Sequence, residues 1–224
     1  MPTAASSPSV RRGLFVALEG IEGAGKTSQA ARLADRLRAR GEEPVMVREP
    51  GGTAFAEECR RLVLHAPYAL TAAEEVFLFQ AARADLVERV IRPALEAGRV
   101  VIADRFELST RCYQGAGRGL DLAQVRAAIA LATGGLEPDL YVVLDLPVGA
   151  GRARQAAQGK APDKIEREDA GFHRRVAEAF RNAAAPNILH LAADRPADAV
   201  HEALWDALTG RFPQTFSRAA GTTR

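Results

Sequence analysis

Cysteine is scarce. Cys59 and Cys112 are the only two among 224 residues, and no metal-type spacing joins them. A disulfide framework and a zinc-binding motif are excluded, and a reduced, cytoplasmic setting with packed thiols is the simplest account. No apolar run approaches membrane-spanning length, so no membrane partner is expected. Charge of one sign does not dominate either. A net charge of +2 is too small to argue for nucleic acid. The four histidines, His65, His173, His190 and His201, are scattered, so they read as structural or surface residues, and Trp205 reads as core. A Ser-His-Asp set and a metal-hydrolase set are both missing. Internal repeats and low-complexity linkers are missing too, and this length suits one α/β domain with a full core.

The ends are compositionally distinct. Residues 1–12 are rich in Ser, Pro and Ala without the apolar core of a signal peptide, and read as a disordered leader. Residues 210–224 mix Pro, Ser, Thr and Gly and read as a flexible tail. A single domain over 13–209 is left.

The most informative stretch is Gly20-Ile21-Glu22-Gly23-Ala24-Gly25-Lys26-Thr27, which fits the phosphate-binding pattern G-x-x-x-x-G-K-[ST]. The apolar run Leu14–Leu18 before it suits a buried parallel strand. After it, Ala30, Leu33, Ala34 and Leu37 form one face of an amphipathic helix. Strand, glycine-rich turn and helix together aim backbone N–H groups and a helix N-terminus at an anion. Lys26 supplies a cation for the outer phosphates, and the Thr27 hydroxyl can ligate Mg²⁺. These features predict binding of a nucleoside triphosphate. Glu22 is the odd residue here, because a carboxylate beside a triphosphate is repelled unless it turns away. Two orientations fit the loop, one toward the sugar hydroxyl of a second ligand and one toward solvent.

Strand-like runs recur at Leu14–Glu19, Pro44–Arg48, Arg99–Asp104, Leu140–Leu146 and Asn187–Leu191. Helical patterns lie at Lys26–Arg40, Ala54–Leu64, Ala72–Ala97, Leu122–Ala132, Val148–Gln158, Glu166–Ala184 and Ala197–Leu208. This alternation predicts a P-loop NTPase-type α/β fold, a doubly wound five-stranded parallel sheet with helices on both faces. Ligands are then expected at the carboxyl ends of the strands. Gly41 and Gly98 stand at helix C-cap positions, and Thr71 with Glu74 spells a capping box.

Polar residues gather at those strand ends. Asp104 stands where an NTPase places an acid near its metal ion. Arg48 and Arg105, at two neighbouring strand ends, can each present a planar fork to phosphate oxygens. Phe79 and Arg83 share a helix face and could meet a planar base together. On the helix alone, Phe77 and Phe79 read as core and Arg83 as a solvated charge.

Taken together, Leu18–Thr27, Arg48-Glu49-Pro50-Gly51-Gly52-Thr53, Phe79–Arg83, Asp104-Arg105-Phe106 with Ser109 and Tyr113-Gln114-Gly115, Pro138-Asp139-Leu140 and Asp163-Lys164-Ile165-Glu166 resemble the bacterial thymidylate kinases over about Leu14 to Leu208. The resemblance implies a P-loop kinase that transfers the γ-phosphoryl group of ATP to dTMP, with Mg²⁺ required. It assigns the loop from Gly20 to Thr27 to ATP, and Thr27 with Asp104 to the metal. Lys26, Arg105, Asp104 and Arg154 become the catalytic set. Glu22 is expected to face the acceptor sugar. Arg48 and Arg105 are expected on the acceptor phosphate, Phe79 stacked on thymine, Arg83 at its carbonyl edge, Thr110 and Gln114 near the base, and Tyr113 against the deoxyribose. It also implies a homodimer joined through helices. A lid at about 152–166 departs from the family pattern, because Ala156 and Gln158 stand where arginines are expected. Arg154 remains, and Lys160 and Lys164 add charge without a planar fork. Two alternatives are a kinase for another deoxynucleoside monophosphate on the same frame, and a nucleotide-binding regulatory protein without turnover.

Overall fold

A computed structural model of the chain describes residues 12–157, 159 and 161–216. The expected leader before Arg12, the end of the expected tail, and Gln158 and Lys160 of the expected lid lie outside the described residues.

Five parallel strands run in the order β2-β3-β1-β4-β5. They are β1 (Phe15–Glu19), β2 (Val45–Arg48), β3 (Val101–Asp104), β4 (Leu140–Asp145) and β5 (Ile188–Ala192). β1 lies at the centre and is buried along its whole length, which is why Phe15-Val16-Ala17-Leu18 needs no polar alternation. Register then aligns the chemistry. Leu18 pairs with Asp104, and Arg48 pairs with the same Asp104 from the other side. The polar ends of three strands therefore meet at one edge of the sheet.

Helix α1 (Lys26–Arg38) starts directly from the phosphate loop and buries Ala30, Leu33, Ala34 and Leu37. It packs on β1, β2 and β3 and against α9 (Ala197–Arg211). Helix α2 (Ala54–His65) takes Thr53 as its N-cap, and α3 (Ala72–Leu86) starts with the capping box of Thr71 and Glu74. The long helix expected over Ala72–Ala97 widens into a π-helical turn at Val87–Ile91 before α4 (Arg92–Glu96). Pro93 has no N–H to donate back into the preceding turn, and the wider turn absorbs that gap. After β3, α5 (Glu107–Thr110) runs into a second π-helical turn, Arg111–Gly117. α6 (Leu122–Thr133) follows, then β4 and α7 (Val148–Ala157).

The helix expected from Glu166 begins later, as α8 (Ala170–Arg181), because Asp169 caps it by accepting the Phe172 N–H at 2.8 Å. The preceding segment closes on itself instead. Glu166 accepts the Asp163 N–H and Asp163 accepts the Glu166 N–H, each at 2.9 Å. The segment expected to loosen at Gly210 stays helical through Arg211 and again in α10 (Pro213–Phe216). Phe216 is buried, edge-on to Trp205 at 5.4 Å, so apolar burial outweighs the loop-like composition. Among the described residues no helix is long and apolar enough to cross a membrane.

Candidate active site

A cleft of about 1190 Å³ opens at the carboxyl ends of the strands. Most of the residues singled out from sequence line it: Glu22, Gly23, Ala24, Gly25, Lys26, Thr27, Arg48, Phe79, Arg83, Asp104, Arg105, Thr110, Tyr113, Gln114 and Arg154. Gly20 and Ile21 do not. They border a separate cavity of about 320 Å³, and their carbonyls accept the Lys26 ammonium at 3.0 and 2.7 Å. Lys26 is 7% exposed, and burial followed by the charge of Arg105 pulls its pKa down to about 8. Beside it the Thr27 hydroxyl donates to Asp104 Oδ2 at 2.5 Å.

Glu22 turns away from solvent, toward Arg105 and Tyr113. It accepts from Tyr113 Oη at 2.5 Å and from Arg105 Nη2 at 3.2 Å. Burial alone would raise its pKa, but Arg105, Lys26 and the tyrosine hydroxyl outweigh that and hold the carboxyl below its usual value. Tyr113 is itself buried, and its hydroxyl is pushed well up.

Arg105 is the one non-glycine residue with positive φ among those described, at φ 74°. An L residue is disfavoured there by roughly 1–2 kcal/mol, so its surroundings must hold it. Nη1 donates to Gly20 O at 3.0 Å and to Ser109 Oγ at 3.1 Å. Arg48 is more open, with 53% of its side chain exposed in a pair with Glu57.

Arg83 is not a solvated charge. Its side chain is 2% exposed and ion-paired with Glu49. Nε donates to both Glu49 oxygens at 3.0 and 2.9 Å, Nη2 to Thr110 Oγ1 at 3.0 Å, and Nη1 to Gln80 Oε1 at 2.9 Å. Burial alone would lower its pKa, but the Glu49 carboxylate more than reverses this. Nη1 carries a second hydrogen beyond the one given to Gln80. Phe79 is half-buried at the cleft wall, whereas Phe77, which reads as core, is 70% exposed. Gln114 is held by Glu75 at 3.1 Å.

Arg154 rises from α7 and donates to Gly23 O at 3.3 Å and Ala193 O at 2.9 Å, bridging the phosphate loop to the end of β5. Its helix seats on the loop through two glycines. A Cβ on Gly151 would lie 2.5 Å from Glu22 O, and one on Gly23 would lie 2.4 Å from Gly151 O. Lys164 donates to Tyr68 O, in the connection between α2 and α3.

Sequence reading overlooked Arg60 and Arg195 as cleft residues and gave Ser109 and Glu49 no role of their own. Glu49 carried a signal, since it sits between Arg48 and Pro50 at a strand end. Arg60 carried none, because a helical arginine becomes a site residue only through what it packs beside.

A phosphate cradle built on a parallel sheet, with a second set of buried and half-buried arginines across the same cleft, defines a P-loop phosphotransferase. The family model for thymidylate kinase matches residues 18–204, and the chain belongs to that family. It is 46% identical over 203 residues to the thymidylate kinase of Deinococcus radiodurans, covering 89% of this chain and 98% of that one. It is 48% identical over 213 residues to the thymidylate kinase of a Pseudomonas fluorescens strain, covering 93% and 99%. The crystal structure of thymidylate kinase from Ehrlichia chaffeensis superposes with a TM-score of 0.69 at 28% identity, covering 88% of this chain and 99% of the other.

Proposed function

We propose that this chain transfers the γ-phosphoryl group of ATP to dTMP in the cleft described above, giving dTDP and ADP. The observation that carries this reading is the convergence of two phosphate-sized cationic sites in one cleft. Lys26 and the loop amides form one, and Arg48 with Arg105 forms the other. A phosphate monoester is already a nucleophile, so no general base is required. The work left to the protein is to align two anions and offset the charge between them.

In this reading the loop from Gly23 to Thr27 and Lys26 hold the donor phosphates. Arg48 and Arg105 hold the acceptor phosphate. Phe79 stacks on thymine, the remaining Nη1 hydrogen of Arg83 meets a ring carbonyl, and Thr110 and Gln114 border the base. Tyr113 and Glu22 form the wall beside the deoxyribose, and Arg154 closes the donor side. Thr27 and Asp104 put two oxygens side by side next to the loop. That suits Mg²⁺, which keeps waters and phosphate oxygens as its remaining ligands. Bound there, the ion would neutralise phosphate charge. Cytoplasmic placement and the absence of a nucleic-acid or membrane partner belong to the same reading.

A homodimer through α2, α3 and α6 also belongs to it. α3 packs against both of the others, and the three helices expose Phe55, Phe77 and Leu131.

The test is coupled ADP release from ATP with dTMP, without it, and with a panel of other deoxynucleoside monophosphates. Release that requires dTMP supports the reading. Faster release with another acceptor reassigns the substrate. No acceptor-dependent release on a folded, ATP-binding protein makes the chain a nucleotide-binding regulator.

A further inference from the structure

One buried carboxylate beside the cleft has no part in the transfer as described. Glu19 ends β1, immediately before the phosphate loop, and is 0% exposed. Its Oε1 accepts the backbone N–H groups of Phe106 at 2.9 Å and Ser109 at 3.1 Å, and its Oε2 accepts the Ser109 hydroxyl at 2.6 Å. These three bonds grip the chain just after Arg105, the residue whose left-handed backbone needs an external hold. Ser109 Oγ in turn accepts from Arg105 Nη1. One carboxylate therefore fixes both the backbone after Arg105 and, through Ser109, the direction of its guanidinium. The same grip anchors α5 and the π-helical turn that follows, from which Thr110, Tyr113 and Gln114 reach the cleft.

We propose that Glu19 is the positioning residue that holds the acceptor arm, Arg105 to Gln114, in register with the phosphate loop. It ties the strand that feeds that loop to the backbone of Phe106 and Ser109. The inference rests on the phosphoryl-transfer reading above and adds a residue which that reading leaves idle. A hydrophobic side chain would fill the same space, but it would leave two buried N–H groups and a hydroxyl unpaired. An amide is a closer substitute. Its oxygen can keep both N–H bonds, but its NH₂ group faces Ser109 Oγ, which already accepts from Arg105. The serine must then turn its own hydrogen elsewhere, its oxygen is shared between the amide and the guanidinium, and Arg105 loses the facing negative charge.

The experiment is a double-mutant cycle on the full chain with Glu19→Gln and Ser109→Ala, measuring kcat and separate KM values for dTMP and ATP. Glu19→Gln should raise the KM for dTMP about tenfold while the KM for ATP stays within about twofold. Ser109→Ala should do the same, and the double variant should be little worse than either, because both break one chain of contacts. Glu19→Ala should lose about 10²-fold in kcat/KM. If that variant does not fold, the cycle alone decides. The proposal is overturned if Glu19→Gln leaves both KM values and kcat at wild-type levels. Equal rises in KM for ATP and dTMP, or effects of the two substitutions that multiply in full, also overturn it. A wild-type protein that does not phosphorylate dTMP defeats the functional reading instead, and the two failures are told apart by that control.

Discussion

The Tyr113 hydroxyl donates to Glu22 Oε1 at 2.5 Å, joining the acceptor arm to the phosphate loop across 91 residues of sequence. The bond holds a ring against the place where the reading above puts the acceptor sugar. A ribose 2′-hydroxyl would meet that ring, or lose its water without a partner. The enzyme should therefore prefer dUMP over UMP. Tyr113→Ala should narrow the ratio of their kcat/KM values, whereas Tyr113→Phe, which keeps the ring, should leave it intact. If Tyr113→Ala keeps the wild-type ratio, another group reads the sugar.

Lys26→Met should abolish transfer and leave the fold intact. Its ammonium sits among the loop carbonyls, ready to offset phosphate charge, and removing such a group costs about 10²- to 10³-fold. Circular dichroism and thermal melting check the fold. A folded variant keeping more than about a tenth of the rate, a loss under about 1.4 kcal/mol, would falsify the assignment.

Arg154 bridges the phosphate loop and β5, so Arg154→Ala should lower kcat far more than it raises the KM for dTMP. Lys160→Ala should do less. Small and equal effects at both positions would leave the segment after β4 without a part in the transfer.

Glu19 gives a pH signature in stability. Burial, the largest influence, raises its pKa from 4.5 to about 7 against the opposing pull of Ser109, Arg105 and the two backbone N–H groups. Between those values the folded chain binds more protons than the unfolded one, so this residue's contribution is full below pH 4.5 and is lost as pH rises through 7. Lys26, Arg83, Arg105, Cys112 and Tyr141 also sense its charge. Glu19→Gln, which cannot ionise, should gain stability over wild type as pH rises from 5 to 8. The limit is about 3 kcal/mol by denaturant titration. A difference that does not change with pH means that the carboxyl does not titrate in this range.

Phe77 and Leu131 are 70% and 87% exposed on α3 and α6. Replacing both by Glu should shift sedimentation from dimer to monomer. An unchanged sedimentation coefficient overturns the proposed dimer through these helices.

What sequence could show here was local. The strand, glycine turn and helix around Lys26 are encoded within consecutive residues, and so is the Thr71–Glu74 capping box. The positions of Arg48, Asp104 and Arg105 follow from the sheet, since parallel strands present their carboxyl ends together. Arg83 escaped a reading from its own helix because its partner Glu49 is 34 residues away. Phe77 misled because α3 buries Glu75, Gln80 and Arg83 along with its apolar residues, so the hydrophobic pattern does not mark the inward face. The π-helical turn at Arg111–Gly117 depends on contacts from other segments. A Cβ on Gly115 would meet Leu122 at 2.5 Å, and one on Gly117 would meet Phe172 at 2.6 Å.

The meeting of Gly23 and Gly151 constrains how this chain can be altered. The Gly151 backbone occupies the volume that a side chain on Gly23 would need, and the Glu22 carbonyl, one residue before Gly23, occupies the volume that a side chain on Gly151 would need. No larger residue at one position can be accommodated by a smaller one at the other, because neither has anything left to give up. The pair can change only with the path of the main chain itself. A designer exchanging α7 for another segment must therefore carry over its glycine or rebuild the phosphate loop beneath it.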